Sequence, residues 1–548
     1  MIAFVAFPSH ESPADVMNAG IIKDHLKKRI EKEKTKKKFI CRKELICGVS
    51  LIPLFYEQRG FAPAWCGDNG IFPQAEALVS EISGALDEGL RPGDYHQYNI
   101  RSLLREIEYI QALGETVGPD KWVDLELLLT DAFMMYGSHL LAGRVNPETI
   151  HADWIVFTPT VDLISILQTA LNENQIKKAL KDLRPNHPGY TRLKRYLLQY
   201  RDMAKNGKWS PILSITSMRK GDMGLTVQHL RERLIIFGDL SVSSNDQINL
   251  FDETVELAVL RYQKRHGLKT DGIVGPKTLK MLNMPIRQRI RQIEINLERW
   301  RWIPRNLGSR YILANIADFK LHVTEILQRI LDMRVVVGRP YRRTPVFSSK
   351  MTFMVINPYW NIPTSIAVKD ILPKIRNTTT YLAQEGIKVF KDWSNGAPEL
   401  DPETIDWNKM ARRNFTYKLR QEPGPENALG RVKFMFPNKF AVYLHDTPKQ
   451  SLFKEPIRDF SSGCIRTEKP IDLALYLLQD DPEWTREKFL ETIKTGKRKV
   501  VRLKRPIPVH LLYWTAWVDE NGMLHFRNDI YDRDKPLDRA LAEKPPEA

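Results

Sequence analysis

Apolar residues recur at helical spacing over the first 205 positions. The pattern is densest at residues 123–142, where they run nearly all the way round and predict a helix buried on every side. Ile21, Ile22, Leu26 and Ile30 mark an amphipathic helix near the start. A compact unit follows: Leu225, Val227, Leu230, Leu234 and Ile235 form one stripe, Gly238 and Asp239 end it, and Phe251, Val255, Ala258, Val259 and Tyr262 form a second. Residues 286–302 predict a connecting helix with a basic face. Past Pro304 the period drops to two. Residues 311–316, 320–323, 333–338, 352–357, 431–436 and 440–444 are short, rich in β-branched side chains and bounded by turn residues, as an all-β sandwich requires. Residues 365–430 break the alternation with helical and Gly/Pro-rich pieces. Such a stretch, about 65 residues, is long for a connection inside a compact domain and predicts a capping insertion. A helix over residues 471–478 and a hairpin turning at Asn521-Gly522 follow. The expected fold class is multidomain α+β: a mostly helical scaffold over residues 1–210, a three-helix domain over 219–284, a β-sandwich over 286–505 with its capping insertion at 365–430, and a C-terminal hairpin and tail over 506–548.

The length, 548 residues, exceeds what one core supports and agrees with that division. The balance of 83 basic against 66 acidic residues gives a net charge of +17, which favours polyanionic partners: nucleic acid, an anionic membrane surface, or carboxylate-rich peptides. Most of it reads as solvated surface, including the run Lys34, Lys36, Lys37 and Lys38 at a helix end. No aromatic-interleaved basic motif accompanies it, so nucleic acid is not an expected partner. The four cysteines are Cys41, Cys47, Cys66 and Cys464. On a helix the first two would face apart, which argues against a local disulfide. Tyr95, His96 and His139 lack metal-ligand spacing and read as packing residues; neither a metal nor a cofactor is expected. No apolar run is long enough to span a bilayer, and residues 1–7 lack the basic start of an export signal.

Candidate chemistry is concentrated in residues 443–466. His445 closes an apolar run, Phe440 to Leu444, and so should lie where a strand meets a loop. Cys464 follows nineteen residues later, after Ser461, Ser462 and Gly463. A free thiol is mostly protonated at neutral pH, and a nearby imidazole makes it reactive. Without a side chain at Gly463, backbone can approach a reacting carbonyl, and the amides of Gly463 and Cys464 are candidate oxyanion donors.

These residues resemble the signature of the L,D-transpeptidases with a YkuD-type catalytic domain, in which a His is followed eighteen or nineteen residues on by Ser/Thr-x-Gly-Cys, an apolar residue and Arg or Asn. Here the positions are His445, Ser461, Ser462, Gly463, Cys464, Ile465 and Arg466. Many members carry His where this chain has Ser462. The sequences Val337-Gly338-Arg339-Pro340 and Asn357-Pro358-Tyr359-Trp360-Asn361-Ile362-Pro363 are similar to the same family. Phe55 to Phe61, Trp65 and Gly143 to Pro147 resemble the scaffold of its large, multidomain YcbB-like branch, which also carries a substrate-capping insert. Tyr262-Gln263-Lys264-Arg265-His266-Gly267-Leu268, with Asp271-Gly272 and Gly275-Pro276, resembles the three-helix peptidoglycan-binding domain. Its turn and helix-start residues are largely architectural, and the alternative is a spacer that binds nothing.

The resemblance implies a cell-wall cross-linking enzyme of the periplasm or cell envelope that acts on peptidoglycan stem peptides and glycan, with other cell-wall synthases as possible partners. An envelope location conflicts with the start of the chain: either that start is trimmed or misassigned, which is the favoured reading, or the location implied by the resemblance is wrong. Cys464 is the expected nucleophile, His445 the base, and Gly463 part of the oxyanion site. Asp446 or its backbone is a candidate to orient the imidazole; Arg466, Tyr443 and Ser462 are candidate substrate contacts, and Trp360 is a candidate wall of the donor site or a core residue. Two other readings stay open: a hydrolase with the same Cys/His pair, and a non-catalytic wall-binding scaffold.

Overall fold

The computed structural model describes residues 19–34, 39–155, 161–207, 210–213, 217–242, 248–378 and 380–543. Lys36, Lys37, Lys38 and residues 1–7 lie outside these. The scaffold is organised on helix α1 (Pro119–Ala142), whose Leu125, Leu127, Leu128, Leu129, Ala132, Phe133 and Tyr136 are all fully buried. Helices Ala19–Lys34, Gln97–Ala112 and Ile176–Leu183 pack round it, which is why no polar face survives in its sequence. Its two buried acids hold backbone: Glu126 accepts the amides of Ala64 and Trp65, each at 2.7 Å, and Asp131 accepts that of Gly48 at 2.6 Å. His96 bridges Asp131, at 2.7 Å, to Glu44, and His139 Nδ1 lies 3.1 Å from the Tyr95 hydroxyl. These three residues hold the scaffold together through hydrogen bonds.

Helix α2 (Pro188–Asn206) lies along the connecting helix. The three-helix domain consists of α3 (Leu225–Ile236), α4 (Glu253–Arg265) and α5 (Pro276–Leu282), and the connecting helix is α6 (Ile286–Arg301). Val227, Leu230 and Leu234 face the three-helix core with Val255, Ala258, Val259 and Tyr262, while Leu225 points outward. The Gln263 amide accepts the amides of Asp271 and Gly272 and donates to Asp271 Oδ1, fixing the turn into α5. The C-terminal hairpin packs beside these elements: Trp514 stacks on Trp300 at 4.2 Å and Phe526 on His266 at 5.5 Å.

The catalytic-segment strands are β1 (Arg310–Asn315), β2 (Lys320–Glu325), β3 (Gln328–Val336), β4 (Phe347–Ile356), β5 (Val432–Met435), β6 (Leu444–His445), β7 (Ile465–Thr467) and β8 (Lys499–Leu512). They form a closed barrel in the order β5-β6-β7-β3-β2-β1-β8-β4, rather than the expected sandwich. The reason lies in β8. It pairs with β4 on both sides of an irregularity between Arg502 and Ile507, where Pro506 has no amide to give, and its far end runs parallel to β1. One bent strand thus joins what would be two sheets, and pairing of β4 with β5 closes the ring. The barrel also continues past residue 505 to Leu512.

Two local expectations change. Residues 440–443 are not strand, because the Asn438 side chain accepts the amides of Phe440 and Val442 and donates to the Val442 carbonyl, and Ala441 takes a left-handed turn at φ +53°. The insertion carries a sheet of its own, ordered Glu399–Leu400, Ile387–Phe390, Lys418–Gln421, Trp360–Ile362, around a separate core of Ile362, Ile371, Leu372, Ile387, Val389 and Leu419.

Candidate active site

The site follows from register. In β6 and β7, which run parallel, Leu444 pairs with Ile465 and both point into the barrel core. Their neighbours must point the other way. Tyr443 and His445 on one strand, and Cys464 and Arg466 on the next, therefore share the outer face. On the far side of β6, Lys433 pairs with His445 while Val432 and Phe434 turn inward, so Lys433 joins the same face. Register thus puts the predicted nucleophile and base on one face of adjacent strands.

Three segments shape the loop that carries the thiol. The Ser461 hydroxyl donates to the Cys464 carbonyl at 2.5 Å and accepts the Gly463 amide at 3.1 Å. Thr344 donates to the Gly463 carbonyl at 2.8 Å and accepts the Gly338 amide at 2.9 Å. Main-chain bonds join Ser461 to Val337 and Arg339. Gly463 sits at φ +116°, a conformation in which a side chain is strained, so glycine is required there for backbone shape. Its amide is already engaged by Ser461, which leaves the amide of Cys464 as the candidate oxyanion donor and corrects the expectation that both serve.

His445 is buried, and its Nδ1 donates to the Asp446 carbonyl at 2.5 Å. That bond fixes the tautomer and leaves the lone pair on Nε2. The backbone of Asp446, not its carboxylate, orients the ring. The Asp446 carboxylate accepts the amides of Arg431, at 2.9 Å, and Thr447, at 2.7 Å, and so shapes the loop after His445. A methyl group at Gly430 would lie 2.4 Å from that carboxylate.

Burial, then the cations Arg466 and Lys433, push the His445 imidazole down to about 3. Burial also raises the Cys464 thiol, opposed by the Tyr443 amide and hydroxyl and by Lys433 and Arg466. The Lys433 ammonium lies over the Tyr443 ring, 3.7 Å from its centre, and Tyr443 meets the His445 ring edge-on at 5.6 Å. The resting pair is accordingly a neutral thiol beside a neutral imidazole.

Ser462 is exposed and accepts from Arg342 Nη1 at 2.8 Å; the same guanidinium forms an ion pair with Asp370 of the insertion. Insertion and nucleophile loop are thereby tied through one arginine. Trp360 lies in the insertion sheet opposite Gln421, half-buried against the insertion's own core, which favours packing over a wall at the thiol. Sequence reading missed Lys433, Arg339, Arg342 and Asp370. Arg339 stands in a family-like stretch and Lys433 is the polar position between inward Val432 and Phe434, but neither signal gives a neighbour. A cavity of about 280 Å³ lined by His139, Gly143, Arg144 and Arg301 lies at the end of α1 and contains none of these residues.

Comparison with known proteins gives three family matches: a scaffold domain over residues 50–197, the family described as "Putative peptidoglycan binding domain" over 224–282, and the YkuD L,D-transpeptidase catalytic domain over 309–498. A Haemophilus influenzae protein named "Putative L,D-transpeptidase" is 36% identical over 249 residues, 45% of this chain and 49% of that one. The match thus spans about half the length of that relative. Among solved structures, an L,D-transpeptidase from Stackebrandtia nassauensis is 15% identical with a TM-score of 0.22, covering 54% of this chain and 94% of its own. One from Xylanimonas cellulosilytica is 14% identical with a TM-score of 0.18, covering 55% and 98%. Likenesses this low say nothing about activity. With the family matches in register with the barrel and the three-helix unit, this chain carries a YkuD L,D-transpeptidase catalytic domain together with a peptidoglycan-binding domain.

Proposed function

We propose that this protein forms cross-links in bacterial peptidoglycan through a thioester on Cys464. The observation that carries the reading is the shared outer face of Tyr443, His445, Cys464 and Arg466, with the nucleophile on a glycine-shaped loop beside an imidazole whose free nitrogen is Nε2. Cys464 Sγ attacks the carbonyl after the third residue of a tetrapeptide stem. Its proton passes to His445 Nε2 and on to the departing amine of the terminal D-alanine, leaving a thioester. The Cys464 amide faces the developing oxyanion. A side-chain amine of a neighbouring stem then attacks the thioester, gives its proton to His445, and the thiol is restored as the new amide forms. The peptidoglycan-binding domain supports a wall substrate and an envelope location; among the described residues no helix is long and apolar enough to cross a membrane.

The test is product analysis. Incubated with tetrapeptide stems, the protein is expected to release D-alanine and yield cross-linked dimers, and incubation with a carbapenem should add one drug mass at Cys464. Release of D-alanine with only tripeptide product would make it a hydrolase; no release and no adduct would leave a wall-binding scaffold.

The insertion is expected to act as a cap held by Arg342. Asp370→Ala removes one partner of that ion pair, a partly exposed charge-assisted contact. Turnover on stem peptides should fall by about tenfold, the lower end for such a contact. Alkylation of Cys464 by a small thiol reagent, which needs no cap, should stay near wild type. Equal losses in the two assays would show misfolding instead.

A further inference from the structure

The stretch Gly143 to Pro147 borders the cavity of about 280 Å³ where the end of α1 meets the end of α6. That volume far exceeds the roughly 30 Å³ of one water molecule and admits a small organic molecule. Ser138, His139, Gly143, Arg144, Arg301 and Trp302 line it, and no Asp or Glu stands among the described lining residues. Two donors in its wall have nothing to donate to. Trp302 is 3 % exposed and its Nε1 has no hydrogen-bond partner; Arg301 is 2 % exposed and its Nε has none either. The indole N–H is turned toward the space over Gly143, where a Cβ would lie 2.6 Å from Trp302 Nε1, and glycine at φ +86° leaves that space open. A buried N–H without an acceptor costs free energy that packed interiors normally avoid.

The acids nearby are engaged elsewhere. Glu298 accepts from Arg301 Nη1 and from the Val145 amide, each at 2.8 Å, and Asp94 pairs with Arg144 Nε at 2.9 Å. Arg144 Nη1 holds the Ala540 and Leu541 carbonyls of the C-terminal helix Asp534–Ala542, each at 3.1 Å, and Arg301 Nη2 meets the Tyr190 hydroxyl at 3.0 Å. His139 registers the resulting field: burial, then Arg144 and Arg301, push its imidazole down to about 3, so the two arginines outweigh the acids that pair with them. An indole N–H and a guanidinium N–H can only donate, and a positive wall favours negative charge; together they select a ligand that brings oxygen acceptors and an anionic group. We infer that this cavity is a binding site, separate from the one at Cys464, for a small organic anion carrying a carboxylate or phosphate group, held by Trp302 Nε1, Arg301 Nε and the charge of Arg144.

The experiment titrates the full chain, at constant ionic strength, with D-lactate and its uncharged analogue lactamide, and with glycerol 3-phosphate and its uncharged analogue glycerol. Affinity is read by calorimetry, and the place of binding by the indole N–H resonance of Trp302, identified by its absence in Trp302→Phe. At least one of the two anions should bind saturably and shift that resonance, and its uncharged analogue should bind at least about tenfold more weakly, the worth of a charge-assisted hydrogen bond. The tighter of the two anions tells carboxylate from phosphate. Trp302→Phe loses no hydrogen bond and keeps a ring against Trp154, so its unfolding midpoint should stay close to wild type while anion affinity falls by about tenfold. Ser138→Leu fills the cavity from α1 and should abolish binding. No saturable binding of either anion, equal binding of the uncharged analogues, or unchanged anion affinity in either folded variant overturns the site; if Trp302→Phe does not fold, Ser138→Leu decides. Binding is read without turnover, so the result is independent of the chemistry proposed for Cys464.

Discussion

Cys464→Ala is expected to abolish D-alanine release and carbapenem acylation together, a fall of roughly four to six orders of magnitude in turnover, as when a covalent nucleophile is removed from a hydrolase triad. The fold should survive. Cys464 is half-buried on the outer face of the barrel, its hydrogen bonds to Ser461 are made by the main chain, and the core partner in that strand is Ile465. A circular dichroism spectrum and unfolding midpoint close to wild type, with no turnover, are the expected readings. Persisting turnover would mean another nucleophile. The remaining thiols are poor candidates: Cys41 faces Asp124 and Cys66 faces Glu126, both raised by burial, and burial pushes Cys47 up to about 11. Serine at each of those three positions should leave turnover close to wild type.

His445→Ala is expected to lower acylation by about a hundredfold to ten-thousandfold, the usual worth of general-base assistance. The imidazole is neutral down to about pH 3, and the thiol sits above its ordinary value. The resting enzyme is therefore not a thiolate–imidazolium pair, and His445 takes the proton only as Sγ attacks. Two pH results follow. In wild type, alkylation of Cys464 should keep rising as pH is raised above the ordinary cysteine value, about 8.5. In His445→Ala part of the lost turnover should return at alkaline pH, as the thiol ionises with help from Lys433, Arg466 and Tyr443. The linkage sign is also set. An unfolded histidine binds its proton near pH 6.5 while folded His445 does not until about 3, so its burial removes stability progressively as pH falls through that window and has no effect above it. Adding the histidine many relatives carry, Ser462→His, should not rescue His445→Ala, since Ser462 is exposed and turned toward Arg342. A rescue, or a His445→Ala enzyme within a few-fold of wild type, would place the base elsewhere.

Much of this was legible in one dimension. Periodicity located α1 because a helix enclosed on all sides needs apolar residues all round, and it located β1 to β5 because their inward positions alternate. The Cys/His segment showed itself because thiolate chemistry needs few residue types and all lie within residues 443–466. The loop at Asn438 was not legible: its capture of residues 440–442 outweighed the strand propensity of Phe440 and Val442.

The sequence by itself determined most of the helices and strands, drew the candidate nucleophile and base, Cys464 and His445, into one short segment, and marked the segment that interrupts the barrel before them. Only the tertiary structure decided that the strands close, because closure depends on β8 bending at Pro506 and on β4 accepting both β8 and β5 as neighbours. It alone decided the electrostatics of the thiol. Lys433 comes from β5, well before Cys464 in the chain, and a shift of one residue in register would turn its side chain to the opposite face. Pairing between strands, which periodicity does not encode, sets which charges the sulfur meets.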